Sequence, residues 1–302
     1  MAGERGGDQE LEGFRQRLEA GLPGLTKSQQ DIASYLLASY DEAAFFSAAD
    51  LAARLHVSEA TVVRFARAIG YGGFPEMRRQ LQELFRAKAT PASRLRRTLS
   101  DLSDGPGPLL AKVIDMEVQY LSEAAGAIKP ADFDRAVEIL LGGGRIFAFG
   151  TGPSAILADM AELRLRRLGV LAIGMTESGR HLLEKLQMLR KDDVVLAAGF
   201  HYVRLEIVAV LDHARAMGCR SILLTDALGP ALRSKVDVVL AARRGSVSTF
   251  HSLTVPMSIL NALILGVAIA KPEESLASLQ RFQRLRAASG LDDTGGGPGS
   301  PT

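Results

Sequence analysis

SAADLAARLHVSEATVVRFARAIGY, residues 47–71, decides the reading of this 302-residue chain. Leu51, Ala52 and Leu55 share one face of a first short helix. His56 and Val57 break its pattern. Ser58 is placed to cap a second helix, because its hydroxyl can take an N–H that the first helical turn leaves unpaired. In that second helix Val62, Phe65, Ala66 and Ile69 recur at i, i+3, i+4 and i+7, the spacing of a buried stripe. The opposite side carries Glu59, Thr61, Arg64 and Arg67. A buried apolar face and a polar, basic end narrow enough for the major groove form the design of a helix-turn-helix recognition helix, with Ser58 also able to touch a phosphate.

The flanks strengthen this reading. Upstream, Thr26-Lys27-Ser28-Gln29 has the capping-box form and opens a helix through Ile32, Ala33, Leu36 and Leu37. Downstream, Gly70, Gly72 and Gly73 end the second helix, and Pro75 suits the first turn of another through Met77, Leu81 and Leu84. Between residues 54 and 97 stand ten basic residues, Arg78 among them, against three acidic ones, whereas the whole chain carries only +2. Positive charge is therefore concentrated around this unit, as phosphate binding requires. The bland alternative is a solvated helical bundle with a basic face.

The length predicts two domains, each able to bury a core. The start of the chain is polar, Gly-rich and charged, without the apolar run of a secretory signal. A single cysteine, Cys219, precedes the apolar run SILLT; it reads as a buried strand thiol in a reducing cytoplasm. No His/Cys cluster has metal-ligand spacing, and no cofactor is implied. Residues 253–270, LTVPMSILNALILGVAIA, are uncharged and long enough to approach a membrane span. They stand alone, contain Pro256, Ser258 and Asn261, and lack an aromatic belt, so a core helix or an oligomer interface is expected and membrane association is not.

Beyond a Pro/Gly break at residues 104–108 the period changes. The runs RIFAFG (145–150), VLAIGM (170–175), VVLAAGF (194–200), CRSILLT (219–225) and VDVVLAA (236–242) alternate with helical stretches at 155–168, 181–189 and 205–217. This predicts an α/β unit, a doubly wound parallel sheet with helices on both faces and ligands at the carboxyl ends of its strands. The first such loop is Gly150-Thr151-Gly152-Pro153-Ser154. Gly150 and Gly152 permit a tight turn, and Ser154 stands at a helix N-terminus, where free N–H groups favour an anion. A dinucleotide fingerprint fits poorly, since Ala155 occupies the place of the third glycine and no acidic residue ends the second strand at Gly174-Met175.

The segment LTKSQQDIASYLLASYDEAAFFSAADLAARLHVSEATVVRFARAIGYGGFPEMRRQL resembles the N-terminal domain of the RpiR/MurR family of bacterial transcriptional regulators. The likeness rests on the LTxSxxxIAxYLL opening, VSEATVVRF and the G-Y-x-G-F-x-E exit. The second half resembles the sugar isomerase (SIS) domain of these regulators, with RIFAFGTGPS matching its first phosphate loop. The resemblance covers roughly residues 22–270. It implies a SIS domain that senses a phosphorylated sugar or related metabolite, assembles as a dimer or tetramer, and modulates DNA binding. One loop departs from the family pattern. Where SIS domains carry a hydroxyl-rich S-x-S-G-x-T loop after the third strand, this chain has Gly199-Phe200-His201-Tyr202-Val203-Arg204, and only Glu206 keeps a familiar acidic position. Arg204 and His201 are suited to hold an oxyanion by direct charge, so an acidic metabolite other than a hexose phosphate is the expected guest. Some family members share such a Phe-plus-basic loop and the start of the later helix, here Phe250-His251-Ser252-Leu253-Thr254.

The candidate residues follow. Ser58, Glu59, Thr61, Arg64, Arg67 and Arg78 are assigned to DNA. Gly150, Gly152, Ser154, Ser178, His201, Arg204, Glu206 and His251 are assigned to the effector, with a helix cap as the plain reading of Ser178. The expected boundaries are a partly disordered start (1–21), the all-α helix-turn-helix domain (22–88), a linker (89–108), the SIS-like domain (109–289) and a disordered tail (290–302). A regulator of this kind works in the cytoplasm on the nucleoid, on double-stranded DNA with a palindromic operator, as a homodimer or homotetramer, and is not an enzyme. Two other readings stand beside it: a sugar-phosphate isomerase with an added DNA-binding domain, which needs a general base such as Glu206 or His251, and an assembly module that binds nothing.

Overall fold

Short helices persist only when tertiary packing holds them, and the N-terminal part of the chain supplies that packing. The computed structural model describes residues 2–44, 46–88, 95, 98–99, 102–103, 107–200, 203–226, 232–241 and 252–289. Helices α1 (Ala2–Gly21), α2 (Lys27–Ala43), α3 (Ala48–Arg54), α4 (Glu59–Ala68) and α5 (Phe74–Lys88) close over one core. Ile32, Leu36, Leu51, Val62, Phe65, Met77 and Leu81 are buried in it. At about 1.5–3 kcal/mol for each large apolar side chain removed from water, this burial outweighs anything the short α3 gains from intrinsic propensity.

Local signals set the helix ends. Gln29 reaches back to the Thr26 N–H at 3.0 Å, one half of the expected capping box. Ser47 and Asp50 form a complete box at the start of α3, a signal in SAAD that the sequence reading passed over. Between α3 and α4 the chain reverses at His56, whose φ of 53° is left-handed, and the Val57 N–H returns to the Ala52 carbonyl at 2.9 Å.

Residues 2–21, within the stretch expected to be partly disordered, are helical. Helix α1 begins at Ala2 and packs against α5, with Phe14 and Leu18 inside the core. Leu11, Phe14 and Leu18 fall at i, i+3 and i+7, a stripe hidden within a Gly-rich, charged composition. The expected linker falls mostly outside the described residues, and the tail over 290–302 lies wholly outside them.

In the second half, α6 (Leu109–Ala127) and α7 (Pro130–Gly142) lead into β1 (Ile146–Gly150), α8 (Ala155–Arg167), β2 (Ala172–Met175), α9 (Gly179–Leu186), β3 (Val194–Ala198), α10 (Leu205–Met217), β4 (Arg220–Thr225), β5 (Val238–Ala241), α11 (Thr254–Ala270) and α12 (Pro272–Ser289). All five strands are parallel, in the order β2-β1-β3-β4-β5. Side chains alternate across the sheet. Ile146, Ala148, Leu196 and Leu224 face α7, α8 and α11, whereas Phe147, Phe149, Val195 and Leu223 face α9 and α10. Burial on both faces explains why the strands read as continuous apolar runs. This is the expected doubly wound α/β unit.

The apolar segment over 253–270 resolves as α11. Val255, Pro256, Ile259, Leu260, Leu263, Ile264 and Val267 are buried, most of them in this domain's own core. Most of its apolar surface is thus used internally, with Leu265 and Ile269 left exposed at 61% and 78%. Among the described residues no single helix is long and apolar enough to cross a membrane.

Candidate functional site

The two sets of assigned residues lie in different units, and each follows from its local sequence. At the start of α4 the Ser58 Oγ accepts the Thr61 N–H at 3.1 Å and lies 2.8 Å from the Thr61 hydroxyl. Thr61 Oγ1 in turn accepts from Arg64 Nη2 at 3.3 Å. The capping hydroxyls therefore lead to the guanidinium and hold it along the helix surface. Glu59, Arg64 and Arg67 are exposed, Thr61 is half-buried, and Arg78 stands half-buried on α5. Val62, Phe65 and Ala66 bury the opposite face of α4.

Beyond α4 a further contact went unread in the sequence. The Tyr71 hydroxyl donates to Gln80 Oε1, and the Arg17 guanidinium lies 4.9 Å from the centre of the Tyr71 ring. Burial pushes the Tyr71 pKa up more than the neighbouring Arg17 pulls it down. This ties α1 to the exit of α4.

The second set gathers at the carboxyl edge of the sheet. Helix α8, following β1, covers one face, and α10, following β3, covers the other. The chain therefore diverges between adjacent strands β1 and β3, and this switch point is where parallel sheets open a crevice. Gly150, Gly152 and Ser154 stand at its β1 side, Arg204 and Glu206 at its β3 side, and Ser178 at the end of neighbouring β2. His201 and His251 lie outside the described residues.

The β1 loop is tighter than a simple row of donors. A Cβ on Gly150 would stand 2.2 Å from the Ser154 carbonyl oxygen, so only glycine fits there. Gly152 has φ +57°. The Ser154 N–H donates to Thr151 O at 3.2 Å and the Ala155 N–H to Gly152 O, closing a 3₁₀ turn. These two amides are thus engaged within the loop, and Ser154 is itself buried. Ser178 holds the N-cap position of α9, yet its side chain makes no capping bond, which corrects the cap reading. The β3 loop is pinned at its root: Thr225 Oγ1, fully buried, donates to Gly199 O at 2.6 Å, and a Cβ on Gly199 would meet Ile207 at 2.3 Å.

At the end of β2, Glu177 Oε1 pairs with Lys185 Nζ at 2.6 Å, and the same ammonium donates to Gly174 O at 2.6 Å. Burial alone raises the Glu177 pKa. Hydrogen bonds from Lys185 and from the Glu177 and Thr176 N–H groups outweigh it, so the carboxyl ends below its ordinary 4.5. On the outer side of this edge strand Glu162 accepts the Gly174 N–H at 3.1 Å. Both main-chain groups of Gly174 are thereby covered, which blunts the edge against pairing with other strands.

A helical unit with a capped, basic-faced α4, joined to a doubly wound parallel sheet, has the architecture of a helix-turn-helix transcriptional regulator. Comparison with known proteins specifies which. Residues 12–88 match the helix-turn-helix domain of the rpiR family and residues 139–266 match the SIS domain. The chain therefore joins a helix-turn-helix domain of the rpiR family to a SIS domain, the make-up of a transcriptional regulator. It is 26% identical over 278 residues to the HTH-type transcriptional regulator HexR of Pseudomonas aeruginosa, covering 90% of this chain and 95% of HexR. Its second half is similar to the sugar isomerase domain of an RpiR transcription factor from Sphaerobacter thermophilus, at 28% identity and TM-score 0.55, covering 58% of this chain and 98% of that one. The fold over 91% of the chain matches 98% of the Vibrio vulnificus NanR protein complexed with ManNAc-6P, at 22% identity and TM-score 0.59.

Proposed function

We propose that α4 reads a palindromic operator in duplex DNA and that an anionic metabolite, a phosphosugar or another acidic compound, binds at the β1–β3 crevice and controls that reading. The Ser58–Thr61–Arg64 chain of hydrogen bonds carries the first part. It sets a guanidinium on the outer face of a helix whose other face is anchored in a core. In this reading Arg64 takes a base edge, and Arg67 and Arg78 take phosphates. Arg64→Ala is expected to cost about 1–3 kcal/mol of operator affinity and to relax discrimination at one base pair. Arg67→Ala weakens all sequences alike. Gel-shift titrations against single-base operator variants measure both, and an Arg64→Ala protein with unchanged affinity and base preference refutes the assignment.

The effector reading rests on the switch-point crevice and on Arg204 at its rim. A protein of the same fold, NanR, is complexed with ManNAc-6P, which supports a ligand of this class. In this chain the loop after β3 lacks the hydroxyl-rich phosphate cradle, which favours an acidic guest other than a simple hexose phosphate. The relatives described as transcriptional regulators favour sensing over turnover. The site of action is the cytoplasm, at the nucleoid.

One helix-turn-helix reads only a half-site, so a symmetric assembly completes the reading. Leu110, Ile114 and Val118 on α6, exposed together with Leu265 and Ile269 on α11, supply apolar surface for it. Light scattering of the full chain at micromolar concentration is expected to give a dimer or tetramer; a clean monomer contradicts this part.

A further inference from the structure

A second recess lies at the other edge of the sheet, remote from the β1–β3 crevice. Helix α11 ends at Ala270 and α12 leaves at 104° to it. This bend opens a wedge, and the sheet closes it: Gly143 and Gly144 precede β1 there, and Leu168–Leu171 form the turn before β2. The groove so formed has a volume of about 470 Å³, within the range of sites that hold small ligands.

Its chemistry is two-sided. Leu141, Leu171 and Val267 give it apolar walls, and Leu171 stays more than half exposed although it directly precedes a strand. Lys271 and Arg281 bring positive charge, Glu274 a single carboxylate. Lys271 Nζ lies 3.9 Å from Glu274 Oε2, too far for a hydrogen bond. Arg281 makes no ion pair or hydrogen bond among the described residues, and its Nη2 stands against Gly169, which needs φ +85° to make the turn. Exposed at the groove beside an apolar wall, Arg281 presents a fork of donors shaped to take an anion.

We propose that this groove is a second small-molecule site, built for an amphipathic organic anion: an acidic group held by Arg281 and Lys271, and an apolar body against Leu141, Leu171 and Val267. It is separate from the effector crevice proposed above and does not depend on it. Helix α8 runs between the two, from its N-cap Ser154 in the first loop to the Leu168-Gly169 turn at the groove. A ligand in the groove therefore bears on the same helix that carries the first effector loop.

The probe is 8-anilinonaphthalene-1-sulfonate, an apolar ring system with one sulfonate, titrated by fluorescence into the full-length protein. Saturable binding at one site per chain is expected. Arg281→Gln should weaken it about tenfold, the loss of one charge-assisted contact. Ala277→Leu, which fills the groove without touching charge, should weaken it too, whereas Arg204→Gln in the crevice loop should leave it unchanged. Circular-dichroism melting of each variant establishes that the fold is kept. Binding that is unsaturable, that stays at wild-type strength in Arg281→Gln and Ala277→Leu, or that follows Arg204 instead, overturns the proposal.

Discussion

Asp193→Ala is expected to destabilise the SIS domain by about 3–5 kcal/mol, a large part of what an ordinary domain possesses. The carboxylate is buried just before β3 and carries three bonds. It accepts Arg145 Nε at 2.9 Å, Arg145 Nη2 at 2.7 Å and the Arg190 N–H at 2.7 Å. Arg145, just before β1, also donates to Met188 O at 2.7 Å and lies 5.2 Å from the centre of the Phe147 ring. The hydrogen bonds to Asp193 raise the Arg145 pKa further above its ordinary value, so the guanidinium stays charged throughout. Removing the carboxylate leaves that charge, and the donors around it, without a partner in a largely enclosed place. Asp193→Asn keeps an acceptor and should cost distinctly less. Urea unfolding of the full chain, followed by fluorescence and circular dichroism, measures the pair. A loss below about 1 kcal/mol for the alanine variant means that water replaces the pair cheaply and that it does not clamp the strand entrances.

This clamp was invisible in the sequence, and the reason is physical. Arg145 and Asp193 are separated by a complete crossover, and only the parallel register of β1 against β3 brings them together. What the sequence carried clearly was local. The period of 3.6 in VVRFARAI and the hydroxyl at Ser58 sufficed for α4, and the alternation of apolar runs with helical stretches sufficed for the sheet. The α1 stripe was as local as these, but Gly6, Gly7 and Gly13 and the surrounding charges concealed it. Residues 253–270 left a choice open. Apolarity alone does not tell a helix buried in its own domain from one buried against a partner, and α11 proves to be mainly the former. At the β1 loop, composition offered free N–H groups at a helix N-terminus, yet the 3₁₀ turn that shapes the loop consumes those of Ser154 and Ala155. Loop chemistry of this kind depends on backbone dihedrals, which residue types only restrict.

Gly150→Ala is expected to abolish the response to the effector while leaving operator binding in its absence intact. The added methyl would stand 2.2 Å from the Ser154 carbonyl oxygen and 2.7 Å from its carbon. Both are backbone atoms of the turn itself, so no side chain can swing aside, and the 3₁₀ turn must open. Overpacking of this kind costs about 1–3 kcal/mol of stability. It also removes the geometry that Thr151, Gly152 and Ser154 present at the head of α8. The N-terminal helices keep their own core, so operator binding is expected to stay as before. Gly152→Ala makes the contrast, because its Cβ meets nothing within 4 Å and only its positive φ is strained. It should therefore cost about 1–2 kcal/mol and leave part of the response. A thermal-shift panel of hexose phosphates, sugar acids and other carboxylates, repeated with each glycine variant and with Arg204→Ala, reads the result. Stabilisation by an acidic compound that disappears in Gly150→Ala and Arg204→Ala places the ligand between the two loops. If the wild-type response persists at full size in Gly150→Ala, the ligand sits elsewhere and the switch-point reading is lost. If a simple hexose phosphate stabilises the protein strongly, with or without Arg204, the loop after β3 has not changed the specificity as argued.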